Sequence, residues 1–515
     1  MGNIKTSIKL WLKSNESVLF PFLAFAIPFM VRAIPEVLMA PYVVGFDTLG
    51  YYIPYTLEFL RDGVSFWSFI RMAPFVYVLL MGLVSIGVPF VISVKVMSPL
   101  LLGFLGSAVY FYANKTLSCS SKKSLLVVLF ATLYFVALRV SWDMLRSELA
   151  LIFLFATLMF LKKDGKPFRN GVLLSLAMLS VVFAHQLVAV IMFFIVFVTL
   201  IRLNFDRKMG DVRRLVVCSV PAGFLFLMIV YANYVVSPQF SLVGGFLDPS
   251  SEGFRALFEF ASHTDIVVDT LGFLVFCYLP LLPLVVLGVK RSGSNLQLNA
   301  WVLCVFIALL SAIAAIFIVL LPYRWILLLT HPLAFYAAEG FAGLRLNRYK
   351  VGVGLMLATL SVAFMVLPNN IAFPYYVAFP LYVPKSMLQN TVPLSDCQDT
   401  VNVLQWAKTN MDNDTRLLVH RAFYGWASLA LDSDKLIPYG YDNPETMAQK
   451  LREDGSHFQL YLVWWINGSG WYDQPAVSSA FGEALYESGR IAIFTYNASA
   501  YFSSSNYKYE KSIKS

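Results

Sequence analysis

Asp47 stands in Gly45-Phe46-Asp47-Thr48-Leu49-Gly50-Tyr51-Tyr52, directly after the first long apolar run of the chain. A carboxylate at the edge of a membrane can take a proton from an attacking hydroxyl, the work of a general base. A second acid follows in Arg139-Val140-Ser141-Trp142-Asp143-Met144-Leu145-Arg146-Ser147-Glu148, where the turn is expected to set Asp143 beside Arg146. Arg146, and Arg324 in Pro322-Tyr323-Arg324-Trp325, carry planar guanidinium forks that suit a phosphate. His185 and Gln186 mark a further turn, and Tyr51 and Tyr52 follow Asp47 on an amphipathic stretch, Thr48 to Gly63. This set fits one reaction: a carboxylate deprotonates an acceptor hydroxyl while arginine holds the phosphate of a lipid-anchored leaving group.

Simpler roles stand beside these. Asp47 precedes a helix and fits an N-cap, and Asp143 fits a cap or a pair with Arg146. Arg324 can snorkel to headgroups, and His185 can be a hydrogen-bonded structural histidine. Arg32 and Glu36, four apart in the first span, read as a buried pair, and Glu339 reads as structural. His263 and Asp265 lack a third ligand nearby in sequence.

The elements that must position these groups are mostly in lipid. Of 515 residues 58% are hydrophobic and 13% charged, with a mean hydropathy of +0.69. Apolar runs of about 17 to 25 residues, enough to cross a hydrocarbon core of roughly 30 Å, recur from Val18 to Leu367. The net charge of +9 is no nucleic-acid footprint. Of the 39 basic residues, 20 fall in six short segments between apolar runs, which the positive-inside rule places in the cytoplasm. Between Lys13 and Lys115 lie three apolar stretches (18 to 40, 70 to 91 and 96 to 113), and an odd number cannot begin and end on one side. The middle stretch, bracketed by Arg71, Pro74 and Pro89, is expected to lie in the interface or re-enter. The expected fold is a polytopic α-helical membrane protein with about eleven transmembrane helices, interfacial helices in the first outer loop and a C-terminal soluble α/β domain. The N-terminus is expected in the cytoplasm and the protein in the plasma membrane, multi-pass, with residues 1–367 as the transmembrane domain and 368–515 outside.

The first run is too long for a signal-peptide core and reads as an uncleaved span. Only Cys397 of the five cysteines falls outside, which argues against an intramolecular disulfide. No internal repeat and no CxxC, HExxH or P-loop pattern is present, so ATP-driven chemistry has no residues here. In the acidic tail, helices are expected over Asp399 to Asn410, Glu445 to Glu453 and Pro475 to Ser488, and strands over Arg416 to His420, Gln459 to Trp465 and Arg490 to Tyr496. Trp464, Trp465, Trp471 and Tyr472 suit either carbohydrate contact or core packing. In this tail three glycosylation-acceptor matches begin at Asn413, Asn467 and Asn497.

The order of a first span, an outer Gly-x-Asp followed by Tyr-rich interfacial helices, a proline-led apolar segment, a second Asp at the next outer turn and a C-terminal outer domain resembles the C-type glycosyltransferase (GT-C) superfamily. The branch it resembles holds protein O-mannosyltransferases, the lipid A aminoarabinose transferase and their archaeal relatives. The resemblance covers about residues 1 to 367. It implies a catalytic base at Asp47, an assisting or metal-binding acid at Asp143, Arg324 at the donor phosphate, a polyprenyl-phosphate-linked sugar donor and an inverting transfer to a protein, lipid or glycan acceptor. Many members have a paired-acid motif where this chain has Asp47 and Thr48, which leaves a divalent metal (Mg or Mn) and the acceptor class open. Two other functions stay open: a lipid or solute transporter, which the boundary position of the acids and the lack of pseudo-symmetric halves disfavour, and a catalytically inactive assembly subunit.

Overall fold

The computed structural model describes residues 16–161, 167–236, 263–293, 295–313, 322–367, 384, 386–439, 444–454, 458–467 and 481–496. Lys5, Lys9 and Lys13, the loop 237–262, Trp471, Tyr472 and the glycosylation matches at 467–469 and 497–499 lie wholly or partly outside those residues, as do the side chains of His263 and Asp265. The described chain divides into two compact units, one built from residues up to 38 with 64–387 and the other from 39–63 with 388 onward.

The larger unit is a bundle of apolar helices. Five of them, Glu16–Leu38, Phe90–Thr116, Gln186–Phe205, Met209–Tyr231 and Asn347–Val366, are long and apolar enough to cross a membrane. Two more spans arise if bent pairs are counted, Ser121–Leu133 with Phe135–Asp143 at 59° and Val267–Tyr278 with Leu282–Ser292 at 72°. The first bend falls at Tyr134, whose extended backbone (φ −62°, ψ 140°) interrupts the helix. Within the 70–91 stretch the helix is Phe75–Ser85, about 16 Å at 1.5 Å per residue and roughly half the hydrocarbon thickness.

Several charged groups inside this bundle find partners within it, as the absence of water in hydrocarbon favours. Arg32 meets Glu36 at 3.0 Å, and its Nε donates to the Ser141 carbonyl at 3.1 Å. Lys95 Nζ donates to the Glu36 carbonyl at 2.7 Å. Lys123 pairs with Glu339. Helices Glu16–Leu38 and Phe90–Phe111 pack through Gly106, where a Cβ would lie 2.2 Å from the Ala24 carbonyl oxygen. Small residues permit such close approach, the main source of helix cohesion in lipid.

The smaller unit is a sheet with helices. Its strands are β1 (Thr415–His420), β2 (Leu436–Tyr439), β3 (Gln459–Trp465), β4 (Phe481–Ser488) and β5 (Ile491–Tyr496), in the order β2-β1-β3-β5-β4. The first three are parallel, and β5 and β4 join antiparallel. Trp464 and Trp465 are neighbours on β3, so they point to opposite faces, yet both are buried. Both faces of the sheet are therefore covered, and these tryptophans are core rather than surface. Trp465 Nε1 donates to the buried Asp396 at 2.8 Å. Helix Cys397–Asn410 and strands β1, β3 and β5 follow the sequence expectation closely. The expected helix over Pro475 to Ser488 is corrected: Phe481–Ser488 is a strand at the sheet edge. Its Glu, Ala and Leu favour a helix locally, but pairing with β5 supplies what local propensity does not.

Residues 39–63 fold with this smaller unit. Gly45 N donates to the Gln389 carbonyl at 3.2 Å, and Asn390 Nδ2 to the Val43 carbonyl at 2.9 Å. At the far end Arg61 Nη1 donates to the Leu431 carbonyl at 3.2 Å, and Ser433 Oγ to Asp62 at 3.1 Å. The first loop is thus fastened at both ends to the C-terminal part of the chain.

Candidate active site

Asp47 opens a π-helical turn, Thr48–Tyr52, that runs into helix Ile53–Arg61. Pro54 has no N–H for the Gly50 carbonyl, and Ile53 N–H reaches five residues back, to the Thr48 carbonyl. Such widened turns occur often at functional sites. The N-cap role for Asp47 does not hold: its backbone is already helical and its side chain makes no cap hydrogen bond. Asp47 is half-buried.

Helix Arg421–Ala430 of the smaller unit lies against this turn so closely that a Cβ on Gly425 would stand 1.8 Å from the Leu49 carbonyl oxygen. Arg421 Nη2 donates to the Tyr51 hydroxyl at 2.7 Å. Its guanidinium carbon is 5.7 Å from the Phe46 ring centre and 5.9 Å from that of Tyr51. Tyr51 stacks on Tyr55 at 6.4 Å, while Tyr52 is buried. Behind the turn, Trp426 Nε1 donates to Thr391 at 3.2 Å, and its ring meets Tyr42 edge-on at 5.8 Å. Neither Arg421 nor its helix was singled out from the sequence. Arg-Ala-Phe-Tyr-Gly-Trp directly follows a strand and carries no polar signature.

In the larger unit, Asp143 is buried and bonded to Arg139 at 2.5 Å, and Arg139 lies 5.0 Å from the Trp142 ring centre. The sequence reading set Asp143 beside Arg146 and did not anticipate this pair with Arg139. Residues 139 and 143 share one face of helix Phe135–Asp143. Met144 (φ −93°, ψ 52°) breaks that helix, so Arg146 belongs to the next one, Leu145–Leu161.

Arg146 donates to the Met72 carbonyl. Gln186 Nε2 donates to the Arg71 carbonyl at 2.9 Å, and Asn233 Nδ2 to the same oxygen at 3.4 Å. These donors cap the open carbonyls of helix Phe66–Arg71, where a cation also suits the helix dipole. His185 is buried here, with no hydrogen-bond partner for Nδ1 among the described residues, and the charges of Arg146 and Arg324 both act on it. Arg324 Nε donates to the Tyr323 hydroxyl at 3.2 Å. Arg146, His185 and Arg324, from three separate segments, are therefore neighbours. Glu148 is a further group that sequence reasoning left without a role: it is fully buried, neither carboxylate oxygen has a hydrogen-bond partner among the described residues, and it feels the Arg32 charge. A glutamate one turn into an apolar helix is the signal that could have found it. Among the described residues no three His, Cys, Asp or Glu side chains converge as a metal site.

No protein-family model matches the sequence, and no curated protein matches it. The chain is similar to two crystal structures of ArnT from Cupriavidus metallidurans. With the one bound to undecaprenyl phosphate it shares a TM-score of 0.52 and 14% identity, over 94% of this chain and 98% of that one. With the apo structure the TM-score is 0.50 and the identity 14%, over 95% and 99%. At this identity the likeness is one of fold, and it runs through both units.

Proposed function

We propose that the chain is a membrane glycosyltransferase that moves a sugar from a polyprenyl-phosphate-linked donor to an acceptor hydroxyl on the outer face of the plasma membrane. One observation carries this reading: the fold is shared over nearly its whole length with a protein crystallised with undecaprenyl phosphate. The residue pattern that resembles C-type glycosyltransferases supports it independently.

In the proposed step the acceptor oxygen attacks the anomeric carbon of the donor and forms a new C–O bond with inversion. The bond to the phosphate oxygen breaks, and polyprenyl phosphate leaves with the electron pair. Asp47 takes the acceptor proton. Arg146 and Arg324 carry the charge suited to the phosphate leaving group, and His185, on which both charges act, is assigned to the substrate-binding side. Tyr51 and Tyr52 are assigned to substrate binding beside Asp47. Asp143, locked to Arg139, is assigned to holding the turn ahead of Arg146 rather than to proton transfer. The N-terminus faces the cytoplasm and the smaller unit the exterior, with residues 39–63 as its membrane-proximal part.

The test is transfer of labelled sugar from native polyprenyl-phosphate lipids to endogenous acceptors in membranes, comparing wild type with Asp47→Asn at equal expression and with a chelator-treated sample. The base assignment predicts a loss of about 100-fold or more in Asp47→Asn. Transfer persisting in that variant sinks the assignment and reopens the transporter and assembly readings. The chelator arm reads metal dependence separately.

A further inference from the structure

We infer that Arg421, contributed by the C-terminal part of the chain, is a positioning residue for the Asp47 turn; this rests on the reading of Asp47 as the base. Arg421 is the first residue of helix Arg421–Ala430. A cation there opposes the helix dipole, whose N-terminal end is already positive, so the position is not explained by its own helix. What holds the side chain is the first loop. The guanidinium donates to the Tyr51 hydroxyl at 2.7 Å and lies over the rings of Phe46 and Tyr51. Phe46 is the residue before Asp47, and Tyr51 follows it by four, about one turn on.

Arg421 therefore grips the turn on both sides of Asp47 in sequence. The contact of Gly425 with Leu49 removes the slack, because backbone meets backbone with no side chain between. A π-helical turn is the less stable form of a helix and needs outside support to persist. Arg421 supplies it through one charge-assisted hydrogen bond and two cation–π faces. Lysine cannot substitute fully, since a point charge lacks the planar fork that donates and stacks at once. The C-terminal part of the chain, beyond any contact it makes with substrate, thereby sets the geometry in which the carboxylate works.

The experiment uses the full chain in membranes or nanodiscs, as wild type, Arg421→Ala, Arg421→Lys, Tyr51→Phe and Asp47→Asn. Amide hydrogen exchange is read over residues 46–55, and sugar transfer from native polyprenyl-phosphate lipids is read as kcat and donor KM. Arg421→Ala should raise exchange over residues 48–52 and lower kcat by about tenfold each, the factor that goes with one hydrogen bond to a charged group, with donor KM within about twofold. Arg421→Lys should recover part of both, and Tyr51→Phe should show the exchange effect more weakly. Unchanged exchange in Arg421→Ala overturns the grip. Raised exchange with unchanged kcat, while Asp47→Asn is inactive, overturns the positioning role and leaves the base assignment standing. Transfer persisting in Asp47→Asn overturns the base assignment instead. If Arg421→Ala does not fold, the Arg421→Lys and Tyr51→Phe variants carry the same comparison.

Discussion

Glu36 and Asp143 in the larger unit each follow an arginine by four residues and bond to it, at 3.0 and 2.5 Å. Asp47 in the smaller unit has no arginine within four residues of it in sequence; its sequence neighbours are aromatic, and the guanidinium of Arg421, from a distant segment, contacts Tyr51 and Phe46. An acid inside hydrocarbon is tolerated when its charge is cancelled close by. An acid that must accept a proton from a substrate has to keep a lone pair accessible. Local sequence thus separates two settings for an acid: an arginine four residues back on the same helix, and an aromatic turn held by a residue far away in sequence.

The sharpest break of that contrast compares Asp47→Asn with Asp143→Asn. Asp47→Asn should lose about 100-fold to 10,000-fold in transfer with its thermal stability unchanged. Asp143→Asn should do the reverse, losing stability first, as read by the melting temperature in detergent. Next, Arg139→Leu leaves the Asp143 charge buried without its arginine and should cost about 3–5 kcal/mol. The double change Arg139→Leu with Asp143→Leu should recover most of that loss, which chemical denaturation measures. If the single change is silent, the pair is not what holds Asp143.

A smaller effect is expected at Gly425. Gly425→Ala forces helix Arg421–Ala430 off the Leu49 backbone and should cost about 1–3 kcal/mol, read by exchange over 48–52. Smallest is Cys397 in the smaller unit, whose thiol burial pushes up to about 12. The folded thiol stays protonated at pH 8 to 9, so it should resist maleimide until the protein unfolds. A thiol pKa raised in the folded state contributes stability below its unfolded value, which is lost as the pH climbs toward 12. Prompt labelling of native protein at pH 8 would show the site to be open.

Much of the fold is legible in the residues. Strand Gln459–Trp465 matches its expected bounds, because a run of β-branched and aromatic residues with no breaker has few other uses. The Arg32–Glu36 pair follows from helical spacing alone. The helical membrane architecture follows from composition. The bend at Tyr134 does not, since no residue pattern announces it, whereas the one at 279–281 falls at Pro280 and Pro283, a breaker signal that the reading of a single span passed over. Nor does the helix Arg421–Ala430, which reads as a continuation of the apolar strand before it. The Arg139–Asp143 pair was not anticipated, because Arg146 stands nearer to Asp143 in sequence.

The sequence by itself determined that this chain is a polytopic helical protein, that Arg32 and Glu36 pair within one helix, and where a carboxylate stands at the end of the first span. Those properties depend on composition and on spacings of three or four residues, which a single segment contains entire. Only the tertiary structure decided that residues 39–63 fold with residues beyond 388, that Arg146, His185 and Arg324 are neighbours, and that Arg421 grips the Asp47 turn across 370 residues. Contacts at that separation depend on how whole elements pack, and no local pattern of residue types encodes which two distant surfaces will meet.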